Sequence, residues 1–479
     1  MSNSTSSAGV LSTEQNDFFG HPRGLSTLFF TELWERFSYY GMRALLVLYL
    51  VESLGYSDFA ALEIYAIYTG LVYVTPIFGG YLADQYLGQN KSILIGAIVM
   101  MLGHLLMAFP EHLFLAMGLL IIGNGFFKPN ISTLLGKFYK SNDTRRDSGF
   151  SFFYVGINLG AFMAPLVIGF VGEAISWHLG FTLAAIGMLM GLIQFLFNQK
   201  KIISDDLTGE TTRLNFYDWF QIIGISIITI PLVLVVFKLN EFIKVYYLEL
   251  LALLLIFFVF QYRTKIQKVT AFNDLKKVAY IFLLSIFVIF FWIGFEQAGG
   301  SLTLFAKNSV DRSIGNYEIP ATLFQSINPL IIIFIGPLIA NFWLRSDKSR
   351  TPLSTSKKMS LGIFLLGFGF LILSLIQNQV HIHFSWLILI YFLHTIGELC
   401  LSPIGLSMVS RVSPRKLASM MMGIWFLSSA AANYFAGKLP EFLHNLNIDL
   451  FIFLTLISFI ASIMLFFIAP FLEKLIQNK

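Results

Sequence analysis

The chain has 479 residues, 56% hydrophobic and 12% charged, with a mean hydropathy of +0.73. Soluble domains carry roughly 25% charged residues, so a water-solvated fold is excluded and lipid becomes the expected solvent. One cysteine, Cys400, excludes an internal disulfide and a cysteine-cluster metal site, while the net charge of +5 raises nucleic acid as a partner.

Residues 1–16 are rich in Ser, Thr and Asn and lack a basic stretch ahead of an apolar core. They predict a disordered tail over 1–20 and no secretory signal. A bilayer-crossing helix needs about 20 mostly apolar residues. Fourteen such runs follow, at 25–54, 62–87, 92–110, 113–137, 148–171, 178–198, 216–237, 243–262, 278–305, 319–344, 358–378, 384–411, 418–437 and 447–470. Lys244 and Glu249 interrupt the eighth.

With the N-terminus placed in the cytoplasm, most basic residues fall on that side. They include Arg23, Lys91, the 137–146 loop, Lys200, Lys201, and the clusters at 263–277, 345–358 and 411–416. Lys238, Lys244, Lys307, Arg312 and Lys438 fall opposite. This bias obeys the positive-inside rule and places both termini in the cytoplasm. Topology therefore accounts for the basic balance, and nucleic-acid binding loses its support.

The seventh and eighth spans, with basic linkers on either side, read as an insertion over 201–275. Six spans remain in 21–200 and six in 276–479. The expected fold is all-α and polytopic, two six-helix bundles plus two extra helices.

The charges inside the twelve spans are not scattered. Span 1 carries Glu32, Glu35, Arg36 and Arg43 in TELWERFSYYGMR; span 4 carries Lys128, span 7 Glu296 and span 10 Glu398. An ionised group at mid-bilayer costs about 2.5–3.5 kcal/mol on insertion scales. Charge on every third span is the trace of repeated three-helix units, whose matching helices line a central cavity. In span 1 the charges lie at i, i+3, i+4 and i+11, roughly one helical face bordered by Tyr39 and Tyr40.

Each residue also has a plainer reading. Glu32 and Arg36 can be a structural i,i+4 pair. Lys128, in GFFKPN, has no local partner and must pair across helices or deprotonate; Glu296, in FWIGFEQAG, is likewise alone. His394, one turn before Glu398, can relay a proton or simply satisfy a hydrogen bond, and the second reading is preferred. His104 reads as structural. Tyr39, Tyr40, Tyr73, Trp292 and Trp425 can be packing alone in a chain 16% aromatic.

A cavity with Arg36, Arg43 and Lys128 on one side and Glu398 on the other suits a zwitterion of peptide size. Carboxylates beside cations can carry protons. No Walker A motif is present, which argues against ATP as the energy source. A proton-driven carrier of zwitterions is expected, with no enzyme activity, metal or organic cofactor.

The motifs resemble those of the proton-dependent oligopeptide transporters, the POT family of the major facilitator superfamily, especially bacterial members with fourteen helices. The likeness rests on GHPRGL, ExxER (Glu32, Glu35, Arg36), FFKPNISTLLGKFY, RRDSGFSFFYVGINLGA, FWIGFEQAG, FQSINP and GELCLSPIGLS. It implies a major facilitator fold and uptake of di- and tripeptides with protons across a bacterial inner membrane, by a protein expected to act as a monomer. It further implies proton coupling by Glu32, Glu35, Arg36, Lys128 and the gate pair Arg43 and Glu296. Asn158, Asn328 and Glu398 would hold the peptide backbone and amino group, and Arg36 and Lys128 its carboxylate. Tyr39, Tyr40, Tyr73, Trp292, Ser402 and Trp425 would form the pocket wall.

Two positions depart from the pattern. Ala66 stands where animal members have a histidine, and Gln85 follows Asp84 where the superfamily loop has a basic residue, which predicts a weaker cytoplasmic latch. The alternatives are a carrier of another small zwitterion or anion on the same fold, or a peptide sensor; a sensor would be expected to carry a soluble signalling domain.

Overall fold

The computed structural model describes residues 18–140, 143, 145–207, 214–224, 272–348, 352–414 and 417–476, with side chains at all but 85, 272, 273, 347 and 418–420. The tail at 1–16 and most of the inserted pair expected at 216–237 and 243–262 lie outside the described residues.

Twelve long helices are present among the described residues. In the first half they are α1 (Arg23–Leu48), α2 (Asp58–Leu82), α3 (Gln89–Leu106), α4 (Leu113–Gly136), α5 (Arg146–Ala164) and α6 (Trp177–Phe197). In the second they are α7 (Phe272–Phe295), α8 (Ile327–Asp347), α9 (Thr355–Ile376), α10 (Ser385–Val412), α11 (Ala418–Asn445) and α12 (Leu450–Ile476). Ten are long and apolar enough to cross a membrane by length and composition. The other two are α1, which carries the buried charges, and α11, which carries Ser428, Ser429 and Asn433. Two-residue strands pair Val310–Asp311 with Ile382–His383 and Ser313–Ile314 with Tyr317–Glu318, a small departure from a purely helical chain.

Packing divides the helices into two groups. α1 lies against α5 and α6, and α4 against α2 and α3; α9 lies against α10 and α12, and α7 against α11 and α12. The groups meet through α2 with α11 and α5 with α8. Gly79 permits the closest approach within the first group, since a Cβ there would collide with the Gly125 carbonyl on α4. Gly362 and Gly397 do the same for α9 and α10. Prolines inside α2 (Pro76), α4 (Pro129) and α10 (Pro403) each remove a helical hydrogen bond beside the central cleft. The outer surface is apolar, with Phe197, Phe334, Leu338 and Phe467 exposed, as lipid contact requires.

At the face that carries Lys91, Lys137 and Arg145, hereafter the basic face, loops are tied to helix ends. Asp205 accepts the Gly24 amide of α1 at 2.5 Å, the capping that Pro22 cannot provide. Residues 216–224 are helical, opened by reciprocal bonds between Asn215 and Asp218 of 2.9 Å. Lys91 of α3 holds this helix through Asp218 at 2.6 Å and Gln221 at 3.1 Å, and Ile222 is fully buried. The start of the insertion is thus anchored on α3, and Lys91 is engaged there while Asp84 accepts from Gln89 at 3.0 Å.

His21 links the chain entering α1 to the loop between α4 and α5. Its Nδ1 shares a bond with the Tyr139 hydroxyl at 3.0 Å and its Nε2 with Ser148 Oγ at 3.1 Å. Burial, then the nearby Arg145, lower its pKa below the ordinary histidine value, against an opposing pull from Asp143. A lowered pKa in the folded state means this docking is fully stable above the ordinary value near 6.5 and weakens as pH falls below it. Protection of residues 18–24 against hydrogen exchange, taken relative to the intrinsic rate at each pH, is expected to fall between pH 7 and pH 5. His21→Ala should show the lower protection at both pH values, by an amount corresponding to about 0.5–1.5 kcal/mol. Unchanged exchange in that variant would refute the assignment.

Candidate functional site

Between the two groups lies a cavity of 1770 Å³. Its walls come from α1, α2, α4 and α5 on one side and α7, α8, α10 and α11 on the other. Charge pattern pointed to α1, α4, α7 and α10; the structure adds the neighbour of each and leaves α3, α6, α9 and α12 outside. The cavity reaches the basic face, where Tyr81, Asp84, Leu406 and Phe426 are exposed along its rim. At the other end it is shut. A Cβ on Gly299 would strike the Tyr65 hydroxyl, one on Gly300 would press on Leu62, and one on Gly437 would strike Ala66. Ala66 is sealed in this α2–α11 contact.

Four of the predicted charges form one cluster on α1 and α4. Arg36 makes a two-pronged bond to Glu35, through Nε and through Nη2 at 2.5 Å, and lies 3.4 Å from Glu32. Lys128 crosses from α4 to donate to Glu32 Oε1 at 2.5 Å. This is the cross-helix partner its isolation in sequence demanded. Glu32 and Glu35 have no exposure, while the Lys128 side chain is 31% exposed. The carboxylates expected in the cavity wall therefore stand behind the cations: Arg36 and Lys128 line the cavity, Glu32 and Glu35 do not. The second oxygen of Glu32 has no hydrogen-bond partner among the described residues.

Two turns along α1, Arg43 Nη2 donates to Glu296, which opens the turn after α7, and Nε donates to the Tyr65 hydroxyl of α2 at 2.5 Å. This ion pair joins the two groups at the closed end. The Arg36 guanidinium sits 4.9 Å above the Tyr39 ring and that of Arg43 5.5 Å above Tyr65, geometry that holds a cation against an aromatic face.

On the opposite wall, Asn328 donates to Glu398 at 2.8 Å and to Thr395 Oγ1 at 3.1 Å. No cation pairs with Glu398 among the described residues. His394 lines the cavity one turn before Glu398, its ring packed on Phe370 and against Gly369, and its Nε2 has no hydrogen-bond partner among the described residues. His104 is fully buried on α3, away from the cavity. Asn158 donates to the Tyr154 carbonyl at 2.9 Å and faces the cavity. Tyr39, Tyr40, Tyr73, Trp292, Ser402 and Trp425 all line it.

The sequence reading missed Tyr65, Tyr154, Gln325 and Tyr391, which stand at the same walls. Tyr65 and Tyr73 recur with Thr69 at four-residue spacing on α2, and Tyr154 lies one turn before Asn158. That spacing relative to chosen residues was the available signal.

Two helical bundles around a charged cleft, open at one end and bolted at the other, define a membrane solute carrier. A family model described as PTR2, the POT family, matches residues 90–455. The di-/tripeptide transporter of Lactococcus lactis subsp. lactis (strain IL1403) is 35% identical over 98% of this chain and 99% of its own. A Bacillus subtilis (strain 168) protein named uncharacterized transporter YclF is 36% identical over 98% of each chain. Among solved structures, a peptide transporter POT mutant in complex with alafosfalin superposes with a TM-score of 0.84 at 35% identity, covering 97% of this chain and 98% of that one. A POT family transporter in complex with 5-aminolevulinic acid superposes at 0.83, with 33% identity over 96% and 98%. The chain belongs to the POT family of transporters.

Proposed function

We propose that this chain imports di- and tripeptides together with protons across a bacterial inner membrane by alternating access. The observation that carries the reading is the two-ended charge of the cleft. Arg36 and Lys128 present cations from the N-terminal bundle, and Glu398, oriented by Asn328, presents a carboxylate from the other. A short peptide has the complementary ends. By the positive-inside rule the basic face is cytoplasmic, so both termini are cytoplasmic and the cavity is open inward.

The peptide carboxylate competes with Glu32 for the exposed Lys128 ammonium, and its amino group meets Glu398. Glu32 Oε2, buried and without a partner among the described residues, can take a proton without breaking a hydrogen bond. Protonation of Glu296 removes its attraction for Arg43 and frees the external end. The ligand shifts the balance only through its different affinity for the two states. Protons are the coupling ion; no organic cofactor or metal enters the scheme.

The test is uptake of labelled dialanine into proteoliposomes under an inward proton gradient, with and without an uncoupler. Uncoupler-sensitive accumulation is expected. Folded protein that accumulates no peptide would overturn the reading in favour of another zwitterion or an anion.

A further inference from the structure

The carboxylate of Glu173 plays no part in the cleft, yet among the described residues it is the most heavily bonded acid at the closed end. It lies in the short helix Phe170–Ala174 that follows α5 through a wide turn at Pro165–Gly169. Its side chain is 4% exposed. It accepts the backbone amides of Ala321 and Thr322 and the Thr322 hydroxyl, each at 3.0 Å, and Lys307 Nζ at 3.2 Å. Arg312 stands 3.8 Å away. Every one of these groups belongs to the C-terminal bundle.

Ala321 and Thr322 open the helical turn Ala321–Ser326, which runs on into α8. The first amides of a helix have no partner within it. Here the residue in the capping position is Pro320, which provides no side-chain bond. The cap comes from the other bundle. A carboxylate at this end also meets the positive pole of the helix. Gly169 lets the segment close on α8, because a Cβ there would sit 2.8 Å from Thr322 Oγ1. Lys307 extends the contact to Glu52, in the wide turn that follows α1, at 3.2 Å.

We propose that Glu173 is an external latch that holds the transporter shut by capping α8 across the bundle interface, beyond and independent of the Arg43–Glu296 pair. The inference rests on the alternating-access reading. Separating the bundles at this end uncaps α8 and strips Lys307 and Arg312 of a shared carboxylate. The latch therefore sets how often the external end opens without touching substrate, and Glu173 is a positioning residue.

The test reads opening directly and needs no substrate, so it stands whether or not peptides are the cargo. In a Cys400→Ala background, Leu62→Cys places a thiol against Gly300 in the α2–α11 contact that shuts the same end. Its reaction with a membrane-impermeant maleimide is followed in spheroplasts of an expressing bacterium. Adding Glu173→Ala is expected to raise the labelling rate about fivefold, the scale of losing a helix cap. Glu173→Gln, which keeps one acceptor oxygen, should give a smaller rise, and Lys307→Met a rise in the same direction. Labelling of Glu173→Ala at the parent rate overturns the proposal. If that variant does not fold, Glu173→Gln decides: a raised rate supports the latch and the parent rate overturns it.

Discussion

Glu296→Gln is expected to retain peptide exchange and to lose uphill accumulation. Glu296 is 3% exposed and bonded to Arg43 across the closed end. Glutamine fills the same space and still accepts from the guanidinium, so the fold and the binding walls remain. It cannot change charge, so the strength of the pair no longer depends on proton supply. Counterflow of labelled dialanine in proteoliposomes should persist within about twofold, while accumulation under an inward proton gradient should fall at least about tenfold, equivalent to about 1.4 kcal/mol of lost driving force. Undiminished accumulation in this variant would remove Glu296 from the coupling mechanism.

The second large effect concerns Arg36. Arg36→Met leaves Glu32 and Glu35 facing each other, both without exposure, with Lys128 alone to neutralise them. Removing one partner of a buried ion pair costs about 3–5 kcal/mol, because a charge is left uncompensated. Transport should fall to background, and thermal unfolding in detergent should shift downward. The combined variant Arg36→Met, Glu35→Gln removes the orphaned charge as well. It should recover much of the thermal stability and none of the transport. A double variant no more stable than Arg36→Met would show that the loss comes from packing and not from charge.

What is legible in the residues divides along physical lines. The spans were legible because bilayer thickness sets a length that composition reports. The importance of α1 was legible because four charges in an apolar run have no solvent unless they line a cavity or pair with groups that do. Pairings were not legible. Lys128 and Glu32 are separated by 96 positions and Arg43 and Glu296 by 253, and no local periodicity encodes a contact at that range. The depth order of the α1 cluster was also hidden: i and i+4 spacing predicts a shared face, not that Arg36 would stand between its carboxylates and the cleft. Glu173 escaped because it sits near a span end, where a carboxylate needs no explanation; only the Pro320 cap position and the amides it fails to serve reveal its role.

The separation of cations and carboxylates between the two walls has a consequence for selectivity. Lys128 and Arg36 on one bundle and Glu398 on the other, with the carboxylates Glu32 and Glu35 withdrawn behind the cations, set up an electric field directed across the cleft. A guest with a large dipole moment is oriented by that field before it makes any specific contact, since a charged cleft with low-dielectric walls concentrates field lines. On the proposed peptide-binding reading, the two walls then read chain direction. A peptide with a blocked amino terminus or an amidated carboxyl end loses part of its dipole and with it the torque that aligns it, whatever side chains it carries.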